Sequence, residues 1–221
     1  TAFVSAGGVT SITLTAPGVG YNTQGGIKKF QDGLPVLCIP GIGQTFADCT
    51  DNNLGQHIPV AVPDTTTFSI ANGFTTDADY YVIAVVQHRE QMSSSLPASG
   101  TLLREYVQLE TPANAAFSKH VALQTDLKDG TSVPTLMPDG SQAYAVDDPH
   151  YLGPIISATK DRAVRIVFYN LLPTTANGGD LFIPADTTYM GAGMGNLDQW
   201  GEVCDPLMAP CESYSQNRAT I

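Results

Sequence analysis

The stretch that decides the fold runs from Asp148 to Pro173 and has the sequence DPHYLGPIISATKDRAVRIVFYNLLP. It contains a Gly-Pro turn at Gly153–Pro154 and a second turn around Lys160–Asp161. From Val164 to Tyr169 apolar residues recur at every second position, a period typical of a strand with one face in a core. Pro173 ends the strand because it cannot donate to a β-ladder. The stretch therefore predicts a hairpin of a β-sandwich.

The composition of the whole chain agrees with an all-β fold. Its 221 residues suffice for one large all-β domain or two small ones. A hydrophobic content of 43% with only 14% charged residues excludes a disordered chain. The 21 glycines and 15 prolines favour many turns over long helices. We therefore predict long loops and little helix.

The charge of the chain limits its partners. A net charge of −11 with only ten Lys and Arg residues argues against nucleic acid and against an anionic membrane surface. No apolar run approaches the roughly 20 residues that cross a bilayer, so no membrane span is expected. The start lacks the features of a signal peptide, and we expect a mature or trimmed N-terminus. We predict a secreted, extracellular or cell-surface protein, with the periplasm as an alternative.

Four cysteines fall into two local pairs, Cys38 with Cys49 and Cys204 with Cys211. Four cysteines allow three connectivities, and proximity favours Cys38–Cys49 and Cys204–Cys211. Each such disulfide would stabilise the fold by about 3 kcal/mol. Neither pair has the C-x-x-C spacing or the neighbouring histidines of a zinc or redox site. We predict two disulfides and hence an oxidising compartment.

The order of patterns along the chain indicates a single compact domain. Residues 1–56 are predicted to form an N-terminal extension and a loop closed by the first cysteine pair, and residues 57–221 the β-domain. Tyr80–Gln87 is the most hydrophobic strand pattern in the first half and is predicted to be central in a sheet. Leu102–Leu109 alternates and is predicted to be a second strand.

The sequence also resembles a known family. Tyr151-Leu-Gly-Pro154, the charged turn, the alternating strand and Asn170-Leu-Leu-Pro173 resemble the first cupredoxin domain of multicopper oxidases such as spore-coat laccases, bilirubin oxidases and manganese oxidases. Further pieces match in the same order, namely Tyr81–Gln87, His88–Gln91, Leu96–Pro97, Leu102–Val107 and Ile183–Thr188. The resemblance implies a cupredoxin-like Greek-key β-sandwich with disulfide-tied loops.

The resemblance further implies where copper would bind. Arg218–Ile221 is similar to a strand that runs directly into His-x-His-Gly, so the first pair of copper ligands is expected just after Ile221. Later domains would hold the other ligands. The intact enzyme would oxidise phenols or metal ions such as Mn(II) and reduce O₂ to water, with this chain as scaffold and no copper bound to it. The chain would then be a fragment, an incomplete part of a longer chain, or a ligand-free relative. Its partners would be the remaining cupredoxin domains or other copies of itself.

The sequence gives little evidence for metal ligands within this chain. None of the histidines forms an H-x-H pair, and we expect ordinary surface or hydrogen-bonded roles for His57, His88, His120 and His150. A metal site of two or three of these histidines, assembled by folding, is the less favoured alternative. Met190 and Met194 offer soft donors for copper, although methionines beside glycines more often pack under a loop. Loop carboxylates do not match a calcium-binding spacing and are expected to be solvated, namely Asp126, Asp129, Asp139, Asp147 and Asp148. The sequence therefore predicts no catalytic residue and no metal ligand in this segment.

Two other function classes compete with the oxidase. One is a copper-free β-sandwich that serves as a structural or interaction subunit of an extracellular assembly, pairing an open strand edge with a neighbouring chain. The other is a carbohydrate-binding β-sandwich, for which Trp200 and scattered tyrosines are the only stacking residues. The occurrence of His-x-His after Ile221 in the intact protein would separate the oxidase from both.

Overall fold

The described part of the chain is built mainly of β-strands. The computed structural model describes residues 2–5, 8–12, 27–174, 179–181, 183, 186, 193–198, 202, 203, 205 and 211–219. Its strands, numbered in chain order, are β1 Ala2–Ser5, β2 Gly8–Ile12, β3 Leu37–Cys38, β4 Ile58–Pro59, β5 Ala78–Glu90, β6 Thr101–Gln108, β7 Val121–Ala122, β8 Gln124–Asp126, β9 Ser132–Pro134, β10 Tyr144–Ala145, β11 Ala163–Asn170, β12 Met194–Asp198 and β13 Cys211–Ser213.

Helix is almost absent from these ranges. The helical elements described are short 3₁₀ turns at Phe46–Asp48, Ile70–Asn72 and Ala115–Phe117. None of them is long and apolar enough to cross a membrane. The predicted all-β class is confirmed for the described residues, which form many strands and almost no helix. The predicted division of the chain between residues 56 and 57 stays a prediction.

The largest sheet has three strands in the order β11-β5-β6. β5 and β6 are antiparallel, with Ile83 opposite Gln108 and Glu90 opposite Thr101. β11 pairs with β5 in parallel along its whole length. The prediction that the Tyr80–Gln87 pattern is a central strand is confirmed, because β5 has a partner on each side.

Both faces of β5 are covered, which explains its nearly continuous apolar sequence. Ala84 and Val86 project to one face and pack in a core with Val107 of β6, together with buried residues of the 109–145 region. Tyr81 and Ile83 project to the other face and pack with Ala61. Residues two apart share a face of a strand, so the two cores lie on opposite sides of one sheet.

The position of β11 differs from the sequence prediction. The alternating strand is present, but no described strand within residues 148–162 forms an antiparallel hairpin with it. It is the edge of the described sheet, and Val164, Ile166 and Phe168 are each more than one third exposed. The predicted hairpin is therefore wrong. Alternation shows that a segment is extended, but its pairing partner is chosen by contacts with distant residues.

The predicted disulfide Cys38–Cys49 is present. It closes the loop that links β3 to the 3₁₀ turn at Phe46–Asp48, and Thr45 caps that turn by accepting a hydrogen bond from the Ala47 N–H. Among the residues whose side chains are described, no cysteine is free. Cys204 lies outside them, so the Cys204–Cys211 pair stays a prediction.

Candidate functional site

Three of the four histidines meet in one buried region with carboxylates. We call this region the histidine–carboxylate cluster, and its members are Asp51, His57, His88, Glu90, Glu105, Asp147 and His150. The ring centres of His57 and His150 are 4.9 Å apart. His150 is in turn joined to Glu90, so the region is continuous.

The disulfide loop positions His57 and Asp51. His57 lies just before β4, and β4 is held in parallel against β3 by bonds from the Ile58 N–H to the Val36 carbonyl at 2.8 Å and from the Val60 N–H to the Cys38 carbonyl at 2.9 Å. Asp51 follows Cys49 by two residues. The Cys38–Cys49 bond thus ties the carboxylate-bearing end of the loop to the strand beside His57.

Asp147 and His150 lie on the segment that follows β10. The Val146 N–H donates to the Gln108 carbonyl at 3.0 Å, which fixes the start of this segment against the end of β6. A turn closes at Gly153, whose N–H donates to the His150 carbonyl at 2.8 Å. The segment then forms a parallel bridge at Ile155 with Val60, so it spans from β6 back to the chain around β4.

The remaining members project from the β5–β6 pair. His88 and Glu90 are two residues apart on β5 and therefore point to the same side. Glu105 is opposite Val86 on β6, which places it on that side as well. All three are buried, and each offers a ligand atom within 4.8 Å of the others.

His57 lies between two carboxylates. Its Nδ1 is 2.7 Å from Asp51 Oδ1 and its Nε2 is 2.5 Å from Asp147 Oδ2. Burial by itself lowers the pKa of His57, but the hydrogen bonds and negative charges of Asp147 and Asp51 outweigh it, and the pKa is raised above 6.5. In the absence of another cation the ring therefore favours the protonated form, with both N–H groups donating.

His150 is held by only one of its nitrogens. Its Nδ1 is 3.0 Å from Glu90 Oε1, while the other oxygen of Glu90 accepts a 2.7 Å hydrogen bond from the Tyr151 N–H. The side chain is 6% exposed, and its Nε2 has no hydrogen-bond partner in the described part of the chain. A buried polar atom without a partner costs about 1–3 kcal/mol. Apart from the contact between His88 and Glu105, both ring nitrogens of His88 and both carboxyl oxygens of Glu105 are also buried without a hydrogen-bond partner among the described residues.

His88 and Glu105 form a buried pair in which the charged form of each side chain is disfavoured. Nδ1 of His88 is in contact with Oε1 of Glu105. Burial lowers the pKa of His88 against the opposing charges of Glu90 and Asp126. Burial, reinforced by the charge of Glu90, raises the pKa of Glu105 to about 9. Near neutral pH the pair is thus a neutral imidazole beside a protonated carboxyl group.

The sequence favoured surface or hydrogen-bonded roles for these histidines over a site assembled by folding, and His57 and His150 are hydrogen-bonded. His120 is largely exposed, 3.0 Å from Glu110 and stacked on Tyr144, as expected of a surface histidine. The other three are buried together, so they are not surface residues. The strand predicted at Tyr80–Gln87 continues to Glu90 in the structure, and this places His88 and Glu90 on one face. One signal was available in the sequence, because Asp147 and Asp148 shortly precede His150.

The structure describes only some of the residues that the sequence offered as candidate metal ligands. Asp126, Asp129 and Asp139 accept hydrogen bonds from neighbouring chain segments rather than converging on one point. Asp147 is buried against His57, so the prediction that it is solvated is wrong. Met190 lies outside the described residues, as does the side chain of Met194.

Copper of the blue type does not fit the residues described. Such a site needs a free cysteine thiolate beside histidines. Cys38 and Cys49 are joined to each other, and the cluster offers only nitrogen and oxygen donors. Any blue-copper centre would therefore be built outside the described part of this chain. No protein-family model, no curated protein and no solved structure matches this sequence.

Proposed function

We propose that this chain is the N-terminal cupredoxin-like domain of a secreted multicopper oxidase, folded as a Greek-key β-sandwich. The proposal starts from the ordered series of sequence matches around β5, β6 and β11. In this role the chain is scaffold and contains no copper ligand. Copper would be held by a His-x-His pair after Ile221 and by later domains.

The way residues 214–219 are held carries the proposal. Arg104 of β6 donates from Nη1 to the Gln216 carbonyl at 2.6 Å and from Nη2 to the Gly179 carbonyl at 2.8 Å. The Leu181 N–H donates to Gln216 Oε1 at 2.8 Å. Asn170, the last residue of β11, donates to the Asn217 carbonyl at 2.7 Å. The segment before Ile221 is thus bonded to two strands of the main sheet.

This anchoring suits a chain that must deliver ligands to a fixed place. A strand continuing from Ile221 would leave the sheet at a defined position, and histidines at alternate residues would project to the same side. The resemblance implies that four one-electron oxidations of phenols or metal ions supply the electrons that, with four protons, convert O₂ to two water molecules. This domain would position the copper ligands and would not itself take part in the reaction.

The first test is the intact mass of the native protein together with its copper content. We expect a mass well above 23.4 kDa and a blue absorption band from copper bound to a thiolate. A copper-free protein of 23.4 kDa would overturn the oxidase proposal.

A second test addresses the scaffold role. Arg104→Gln removes the charge-assisted hydrogen bonds to the Gln216 and Gly179 carbonyls, at about 1.5 kcal/mol each. It also removes the 3.1 Å bond from Nε to Gln87 Oε1 within the β5–β6 pair. We expect this variant to retain less copper and less phenol oxidase activity than the parent. Arg165→Gln is the matched control, because it also removes an arginine from the main sheet. The contact described for Arg165, which lies on β11, is with the ring of Phe68. Equal copper contents in the two variants would contradict the scaffold role.

A copper-free structural subunit is the second candidate, and the exposed β11 edge favours it. An edge strand with exposed apolar side chains can pair with another chain. Light scattering on the purified protein would show ordered oligomers that dissociate in Ile166→Lys. A monomer that carries copper would exclude this candidate.

A further inference from the structure

The two histidines at the centre of the cluster have matching hydrogen-bond arrangements. Nδ1 of His57 faces Asp51, and Nδ1 of His150 faces Glu90. Histidines that bind metals commonly donate their second ring N–H to a carboxylate, which fixes the tautomer and orients the ring. In His150 this leaves Nε2 available to a cation, whereas Nε2 of His57 faces Asp147 and becomes available only when that contact opens.

Asp147 supplies a carboxylate at the same place. Its Oδ1 accepts a 2.9 Å hydrogen bond from the Asp148 N–H, and its Oδ2 faces His57 Nε2. His57, Asp147 and His150 each offer a ligand atom, and these atoms lie within 4.8 Å of one another. The three side chains therefore converge on one point without any large rearrangement.

The charge and polarity of the region also favour the binding of a cation. Asp147 and Glu90 bring two buried carboxylates to the two imidazoles, while Asp51 is 45% exposed. Buried charges in proteins are generally paired or bound to metals. Nε2 of His150 is buried without a partner among the described residues. A small cavity of about 10 Å³ adjoins Asp147 and His150 but is not lined by His57. Its volume is about the space that one water molecule occupies.

We propose that His57 Nε2, His150 Nε2 and an Asp147 carboxylate oxygen bind a divalent transition-metal ion of the Zn²⁺ or Fe²⁺ class. Two histidines and one carboxylate are a ligand set that these ions share, with further positions left to water or a small molecule. Asp51 and Glu90 act as positioning residues. This site is independent of the oxidase proposal, because its ligands contain no thiolate and come from this chain.

Binding requires one local change. A ligand lies about 2.0–2.2 Å from zinc, so two ligand atoms in a tetrahedral site are separated by about 3.3 Å. Nε2 of His57 and Oδ2 of Asp147 are 2.5 Å apart, so they must separate by less than 1 Å as the ion replaces the shared proton. His57 then becomes neutral while its Nδ1–H still donates to Asp51.

The test is zinc binding by the full chain with its disulfide intact. The protein is stripped with a chelator, dialysed without reductant against Zn²⁺ alone, and analysed for bound zinc. Reductant must be absent because Cys38 and Cys49 lie close to His57 and would bind zinc as thiolates. Copper is omitted because Cu²⁺ binds nitrogen and oxygen ligands more tightly than Zn²⁺ does.

We expect His150→Gln to hold one zinc ion fewer per chain than the parent protein. His120→Gln is the matched control, because it removes an exposed imidazole that also faces a carboxylate, and it should keep the parent zinc content. Equal zinc contents in parent, His150→Gln and His120→Gln would overturn the proposal and leave a hydrogen-bonded network with a buried water.

A positioning variant keeps the proposal testable if His150→Gln does not fold. Glu90→Gln retains an acceptor for the His150 Nδ1–H but loses the negative charge, and the expected result is zinc affinity about 10–100-fold weaker. Zinc affinity unchanged in Glu90→Gln, measured by calorimetric titration, would also contradict the proposal.

Discussion

Replacing Glu105 with glutamine should make the stability of this protein less sensitive to rising pH. Glu105 is 5% exposed and faces His88 on the core side of the β5–β6 pair. Burial and the charge of Glu90 raise its pKa from 4.5 to about 9. Glutamine has nearly the same shape and can still pair with His88, but it does not titrate.

The sign of the effect follows from proton linkage. Between pH 4.5 and pH 9 the folded protein keeps a proton on Glu105 that the unfolded chain has released. The free energy of unfolding therefore falls as the pH rises through this interval. At 1.36 kcal/mol per pKa unit, the contribution of Glu105 decreases by about 4 kcal/mol between pH 5 and pH 8. This is a large part of the 5–15 kcal/mol that is usual for a domain.

The assay is urea unfolding of the parent protein and Glu105→Gln at several pH values. The quantity to follow is the difference between their free energies of unfolding, because other titrating groups contribute equally to both. We expect the difference to move in favour of the variant by about 4 kcal/mol from pH 5 to pH 8. Glu105→Met serves as the control, since it should show the same pH-dependent change with a different constant offset. A difference that does not vary with pH would refute the reasoning.

Three further predictions concern stability. Changing both Cys38 and Cys49 to alanine should lower the free energy of unfolding by about 3 kcal/mol, measured by urea unfolding without reductant. Gly100 has φ +76°, and a Cβ there would lie 2.9 Å from the backbone of β5, so Gly100→Ala should lower the free energy of unfolding by about 3 kcal/mol. Gly130 has φ +87° but open space around it, so Gly130→Ala should lower the free energy of unfolding by only about 1 kcal/mol. Although burial alone raises the pKa of Asp64, hydrogen bonds from the threonines that follow lower it to about 2. Asp64→Asn should therefore cost about 2 kcal/mol at pH 7, a loss that shrinks as the pH falls from 4 towards 2.

The strands were predictable from the sequence because their signal is local. The apolar patterns at Tyr80–Gln87, Leu102–Leu109 and Val164–Tyr169 correspond to β5, β6 and β11. The short loop between two cysteines likewise predicted the Cys38–Cys49 bond, since loop closure favours near partners. In each case the deciding interaction acts between residues that are close in sequence.

The pairing of strands and the candidate site were less predictable. The partner of β11 is β5, a strand far earlier in the chain, and no local pattern specifies it. The cluster draws His57, His88 and His150 from three separate segments, and their meeting depends on those segments being packed together. The predicted strand ended at Gln87, so the shared face of His88 and Glu90 on β5 is seen only in the structure.

The parallel pairing of β5 with β11 has a consequence for how the protein is made. Ala78 pairs with Ala163, and Val85 pairs with Asn170. One edge of β5 therefore has no partner until the ribosome has added the residues up to β11. Local β5–β6 pairing can form early, whereas pairing across a long separation is slow and leaves an unpaired strand edge exposed to other nascent chains. During that interval the open edge of β5 can pair with other chains, and polypeptides that terminate before Ala163 should aggregate.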